Sequence, residues 1–310
     1  MPFADLSGAR IFYQQIGEGP DIVCIHGLAA NHAFWFTRIA FALKRRFRLT
    51  LYDLRGHGRS SMPPSGYTSR DMAQDLGELM DQVGMAQAML MGHSFGGKVA
   101  LHFTALHRHR VWALVLADTR IYALQSVQRL SDAPVTSLEE ELLRGSEIDG
   151  QNEQHMGMRL LEEWMAQRKS ELPELPGAGF VPFGRESLRS RAAGDWLKLA
   201  QNTTARQDFR EMAGLSEEKI RGVTVPLLAV YGQRSRCLPS GLALQSTVAD
   251  CTLGIVPGAG HFHPLTRPRF FLRALARFLR DLQRRGAIPA GEGIARTRQQ
   301  RAHPARGVDA

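Results

Sequence analysis

Short apolar runs recur along the chain, separated by segments whose apolar residues return at a period near 3.6. The runs are IFYQQIG, DIVCIHG, FRLTLYD, QAMLMGH, VWALVLAD, PLLAVYG and TLGIVPG, each with the length and composition of a strand. Strands alternating with helical patterns predict an α/β fold, a mostly parallel sheet with helices on both faces. Asp21 to Ile25, Gln87 to Met91 and Val111 to Ala117 are apolar at nearly every position, as strands buried on both faces must be. Helices are predicted at Ser69 to Val83, Phe95 to Leu106 and Arg267 to Gln283. The first has Thr68 and Ser69 as candidate caps and carries Met72, Leu76, Leu79, Met80 and Val83 on one stripe.

From Arg120 to about Arg221 the strand rhythm stops, and PLLAVYG then resumes it. Within this stretch NEQHMGMRLLEEWMAQRK and RAAGDWLKLAQ read as amphipathic helices, joined by the proline- and glycine-rich ELPELPGAGFVPFG. The pattern predicts a core built from 1–119 and 222–283, with 120–221 inserted as a helical cap over the carboxyl edge of the sheet. The last segment, 284–310, has few large apolar residues to offset the entropy of ordering, and is expected to be a disordered basic tail.

Composition removes several classes of function. The 310 residues are 44% hydrophobic and 22% charged, enough for one sizeable core. No apolar stretch reaches the roughly 20 residues of a membrane-spanning helix, and MPFADLSGAR lacks a signal peptide's basic start and apolar middle. A cytoplasmic protein with no membrane partner is expected. The net charge is +9, but six arginines from Arg284 onward stand against only Glu292 and Asp309, leaving the remainder near +5. With no aromatics interleaved among those arginines, a nucleic-acid partner is not expected. Cys24, Cys237 and Cys251 have no C-x-x-C spacing, so neither a disulfide framework nor a metal site is expected, and they read as small apolar fillers. No phosphate-binding loop or ligand cluster calls for a cofactor.

One stretch carries chemistry. Gly92-His93-Ser94-Phe95-Gly96 matches G-x-S-x-G, with a buried strand before it and a helix after it. A sharp strand-to-helix turn strains its central residue and admits only very small flanking side chains, which accounts for the glycines. The turn would hold the Ser94 hydroxyl over a helix N-terminus, where backbone N–H groups favour developing negative charge.

With these motifs the chain resembles the α/β-hydrolase family, from about Phe12 to Leu282 and most weakly in the insertion. His26-Gly27 resembles the family's oxyanion loop, Asp53-Leu54-Arg55-Gly56-His57-Gly58-Arg59-Ser60 its next strand-to-loop turn, and Gly258-Ala259-Gly260-His261 its histidine loop. The resemblance implies Ser94 as nucleophile and His261 as the base that takes its proton, in the chain order Ser, acid, His. His263 is the competing base. His26, His57 and His93 read as loop-stabilising residues, and Asp53, Arg55 and Arg59 as pins of their turn.

The acid departs from the family's common pattern. Where most relatives carry an Asp after the strand equivalent to LLAVYG, this chain has Gly232-Gln233-Arg234-Ser235-Arg236, with Ser235 at the expected position. Asp118, at the end of VWALVLAD, is the replacement, as in family members that place their acid after this strand. The resemblance assigns the two oxyanion donors to the backbone N–H groups of Leu28 and Phe95. His26, Trp35 and Trp164 are candidate pocket residues, while Lys98 reads as a helix-surface or ion-pair residue. Taken together, the expectation is a serine hydrolase acting on an ester or thioester with an apolar acyl or aryl group. A carbon–carbon bond hydrolase with the same triad, or a non-catalytic small-molecule binder of this fold, are the alternatives.

Overall fold

The computed structural model describes residues 2–135, 140, 143, 146, 148, 149, 155–167 and 186–289, of which 164–167 and 186–193 are described in backbone only. Its sheet strands are β1 (Phe3–Asp5), β2 (Arg10–Ile16), β3 (Asp21–Ile25), β4 (Arg48–Tyr52), β5 (Ala88–His93), β6 (Val111–Ala117), β7 (Leu227–Gly232) and β8 (Cys251–Val256). They join in the order β1-β2-β4-β3-β5-β6-β7-β8. β2 runs antiparallel to β1 and β4, and every pair from β4 through β8 is parallel. Each apolar run read from the sequence falls on one strand. β1 was not predicted, because three residues carry no periodicity; it exists through its pairing with β2, Phe3 opposite Phe12.

The helices are α1 (Arg38–Leu43), α2 (Ser69–Gln82), α3 (Phe95–Leu106), α4 (Met156–Gln167), α5 (Glu186–Asn202), α6 (Ala205–Asp208), α7 (Glu217–Arg221), α8 (Leu238–Thr247), α9 (His263–Thr266) and α10 (Pro268–Arg284). α2 starts where its sequence says it should. Thr68 Oγ1 accepts from Asp71 N at 3.2 Å while Asp71 Oδ2 accepts from Thr68 N at 3.1 Å, a reciprocal cap.

The uninterrupted apolar strands are explained by two cores. Leu90 of β5 and Leu114 and Leu116 of β6 point into one core with Leu76, Leu79 and Met80 of α2 and Val99 and Phe103 of α3. Met89, Met91, Ala113, Val115 and Ala117 point the other way, against Trp35, Ile39 and Leu43 and against Phe271, Leu275, Phe278 and Leu282 of α10. Alternate residues thus feed opposite faces. Each large side chain so buried contributes roughly 1.5–3 kcal/mol.

The 120–221 segment supplies no sheet strand among its described residues. Met156 and Leu160 of α4 and Trp196 and Leu199 of α5 are buried in the first core. Trp196 stacks on Phe209 at 5.9 Å, and Phe209 meets Phe95 edge-on at 5.1 Å, which brings the segment over the start of α3. The basic tail's residues 290–310 lie outside the described residues.

Candidate active site

Parallel pairing sets the carboxyl ends of β5, β6, β7 and β8 side by side, the edge at which open α/β sheets place their chemistry. Ser94 follows β5, Asp118 follows β6, Ser235 lies just past β7, and His261 sits on the loop after β8. Two backbone bonds continue the ladders and fix the first pair: Ser94 N donates to Ala117 O and Asp118 N to Val230 O, both at 2.9 Å.

Ser94 has φ 54° and ψ −121°, and Asp118 has φ 52°. A non-glycine residue in this region stores about 1–3 kcal/mol of strain and persists only where its surroundings enforce it. Around Ser94 the glycines do so. A Cβ on Gly96 would come within 2.6 Å of Ile25 O, one on Gly92 within 2.5 Å of Gly97 N, and one on Gly97 within 3.0 Å of Thr119 Cβ. The hydroxyl therefore stands on a turn that packs against β3 and β6 by backbone alone.

Asp118 is fully buried, and its carboxylate is surrounded by donors. Gly232 N donates to Oδ2 at 2.7 Å, the Ser235 hydroxyl donates to Oδ1, and His261 Nδ1 stands 3.1 Å from Oδ1. A carboxylate only accepts, so Nδ1 carries a proton, and in the neutral ring Nε2 is left as the acceptor. Burial works to lower the His261 pKa, but the hydrogen bonds with Asp118 and Cys237 overcome it and push the pKa up to about 10. Burial pushes His26, His57, His93 and His263 the other way. His93 Nε2 donates to His261 O at 3.0 Å and stacks its ring on Phe34, tying the histidine loop to the serine turn. Among the described residues neither Ser94 Oγ nor His261 Nε2 has a hydrogen-bond partner.

The same holds for two backbone donors. No acceptor among the described residues takes the N–H of Leu28 or of Phe95. The Gly27 loop lies against the serine turn, a Cβ on Gly27 meeting Ser94 Cβ at 3.0 Å, and Ala29 turns the chain away at φ 57°. Unpartnered N–H groups beside a hydroxyl can receive an oxyanion.

Other expectations need correction. His26 is not a pocket residue. It is fully buried, accepting from Leu54 N at 3.0 Å through Nε2 while Nδ1 bonds Gly27 O at 2.7 Å, so it braces the loop. Trp35 is likewise core, its Nε1 donating to Ile25 O at 2.9 Å and its ring packing on Phe34 and Phe271. The Trp164 side chain lies outside the described residues. Lys98, expected on the surface, is 2% exposed, its Nζ donating to Glu211 O with Tyr122 against it at 4.4 Å. Cys237 is more than an apolar filler. Its Sγ stands 3.9 Å from His261 Nδ1, a proximity that a count of cysteine spacings does not reveal.

The competitor His263 is fully buried with Nε2 donating to Val230 O at 3.0 Å, which occupies it structurally. Asp53 holds His32 N at 2.6 Å and Arg59 N at 2.8 Å, and Arg55 pairs with buried Asp75 at 2.7 Å. These residues pin their turn. Sequence reasoning missed that Ser235, the residue in place of the usual acid, is a donor to Asp118.

Comparison with known proteins agrees with the architecture. The α/β hydrolase fold family model matches residues 20–154. The 2-(acetamidomethylene)succinate hydrolase of Mesorhizobium japonicum is 27% identical, covering 89% of this chain and 93% of the relative. The pimeloyl-acyl-carrier-protein methyl ester esterase of Chromobacterium violaceum is 28% identical, covering 87% and 98%. Among solved structures, an enol-lactonase from Burkholderia xenovorans superposes with a TM-score of 0.63 at 23% identity, covering 90% of this chain and 99% of that one. Relatives of this kind support hydrolase activity, and together with the sheet order and the matched model they show that the chain has the α/β-hydrolase fold.

Proposed function

We propose that the protein is a serine hydrolase that cleaves a carboxylic ester or thioester through an acyl-enzyme. The Asp118–His261 pair is the observation that carries this reading. With Nδ1–H held at 3.1 Å by a buried carboxylate, Nε2 of the neutral ring is the atom that takes a proton. Its raised pKa favours the imidazolium that forms when Ser94 loses its proton.

In the proposed reaction His261 Nε2 takes the proton from Ser94 Oγ as the oxygen bonds to the substrate carbonyl carbon. The carbonyl oxygen becomes an anion facing the N–H groups of Leu28 and Phe95. Its collapse breaks the bond to the leaving group, which receives the proton from His261. Water, deprotonated by the same imidazole, then attacks the acyl-enzyme and releases the acid, regenerating Ser94. No step requires a metal or organic cofactor. Ser235 and Gly232 keep Asp118 in place throughout by their bonds to its two oxygens.

Relatives acting on a methyl ester and on 2-(acetamidomethylene)succinate support carbonyl hydrolysis as the shared chemistry. The 120–221 segment is proposed as the cap that shapes the acyl site, and its Met- and aromatic-rich sequence favours an apolar acyl or aryl group. A panel of p-nitrophenyl esters and acyl-CoA thioesters tests the reading. Turnover of one class, lost in Ser94→Ala, is the expected result. No turnover of any member by folded protein would favour the non-catalytic binder.

A further inference from the structure

Three side chains of the kinds that bind zinc meet at the candidate base, which is one of them. A carboxylate oxygen of Asp118, Cys237 Sγ and a ring nitrogen of His261 all lie within 4.8 Å of one another. Nδ1 is 3.1 Å from Oδ1 and 3.9 Å from Sγ. In a tetrahedral zinc site, bond lengths of about 2.0–2.3 Å put such ligand atoms roughly 3.4–3.6 Å apart. Both measured separations therefore need shifts of only a few tenths of an ångström. The geometry points to a binding site for Zn2+, or another thiophilic divalent cation, made by Asp118, Cys237 and His261.

The surroundings suit this role. Asp118 keeps its Gly232 and Ser235 donors when His261 turns from it to an ion. Gln128 Nε2 donates to Cys237 Sγ at 3.5 Å, and Cys237 directly precedes the ten-residue helix α8. A thiolate and a carboxylate neutralise a divalent charge. The His261 side chain is 34% exposed, which gives the ion its entry, and a water or hydroxide completes the fourth position.

The site would inhibit rather than assist. Binding breaks the Cys237 S–H bond, forms the Sγ–metal bond and releases that proton to solvent. Nδ1 gives up its proton to bind the ion, and in the neutral ring that proton is passed through solvent to Nε2. An Nε2 that carries hydrogen has no lone pair to accept the Ser94 proton, so the base is disabled. The inhibition rests on the role proposed for His261, whereas the binding does not.

Cobalt(II) separates the two, because a thiolate bound to it gives an intense near-ultraviolet charge-transfer band that needs no turnover to observe. The full-length protein is titrated with Co2+, and ester hydrolysis is measured against Zn2+ with and without a chelator. One cobalt per chain with the band, and chelator-reversible loss of activity, is the expected result. In Cys237→Ser the band vanishes, and, measured against that variant's own metal-free rate, the Zn2+ needed for half-inhibition rises at least about 10- to 100-fold. Cys251→Ser serves as the control and behaves as the parent protein. A wild-type protein without the band, or a band and inhibition that survive in Cys237→Ser, overturns the site. A cobalt band lost in Cys237→Ser while Zn2+ leaves turnover untouched upholds the site and instead removes His261 as the base.

Discussion

Ser235 donates its hydroxyl to Asp118, across the neighbouring carboxyl ends of β7 and β6. Ser235, at the position where an acid is expected from the sequence, thus supports a carboxylate that stands one strand over. The carboxylate still reaches the same histidine, because His261 approaches from the loop after β8 and Asp118 is buried beneath it.

This relationship predicts unequal effects of two substitutions. Asp118→Asn leaves an amide that cannot stabilise the imidazolium, and kcat is expected to fall by about 10³–10⁴-fold. Ser235→Ala removes one of three donors, and a loss of no more than about tenfold is expected, since Gly232 N and His261 remain. Steady-state kinetics on a common ester decides it. Equal losses from both would contradict the assignment.

The two nearby histidines are expected to separate in the same way. His261→Ala should lower kcat by at least about 10³-fold. His263→Gln disturbs a buried bond to Val230 O, so denaturant unfolding should register a loss of about 1–3 kcal/mol, with kcat changed less than tenfold. A reversed pattern would make His263 the base.

Burial and pKa give a prediction for stability against pH. Between 6.5 and about 10 the folded chain holds a proton on His261 that the unfolded chain has released, so this group's stabilisation is full below 6.5 and lost as pH rises through about 10. Lys98 acts in the opposite sense: burial, then the Arg120 charge, pull its pKa from 10.5 to about 7. Between those values the unfolded chain holds the extra proton and stability rises with pH. The two slopes overlap and oppose, so Lys98→Met should expose a decline of stability between pH 7 and 10, and His261→Gln a rise. Urea unfolding at several pH values measures both, and identical profiles in the two variants would reject this account.

The strained turn makes its own prediction. Gly96→Ala drives a methyl group against Ile25 O and His26 O, which are backbone atoms and cannot swing aside. A loss of at least about 1–3 kcal/mol is expected, with a lowered melting temperature and lost activity. An unchanged melting temperature would mean that β3 and the turn are not packed as described.

What the sequence revealed depended on how local the physics was. Strands buried on both faces are apolar at successive positions, and the small-residue demand of the serine turn is written in Gly92 and Gly96. Both were legible. The pairing of Asp118 with His261 could be anticipated because a carboxylate was missing at Ser235 and another stood at a strand end. Properties created by distant parts of the chain were not legible. Lys98 has the spacing of a surface residue, yet Glu211 and Tyr122 cover it. Trp35 resembles a pocket residue in composition, but Phe34 and Phe271 enclose it. Cys237 reaches His261 only because α8 begins where the histidine loop ends its approach.

The account stands most directly on Ser94 being a nucleophile. Incubation of the folded protein with a fluorophosphonate, followed by intact-mass and peptide mass spectrometry, is its sharpest test. One adduct per chain on Ser94, absent from Ser94→Ala and strongly slowed in Asp118→Asn, is the result predicted. Well-folded protein that stays unlabelled, or an adduct on another residue that persists in Ser94→Ala, would contradict it.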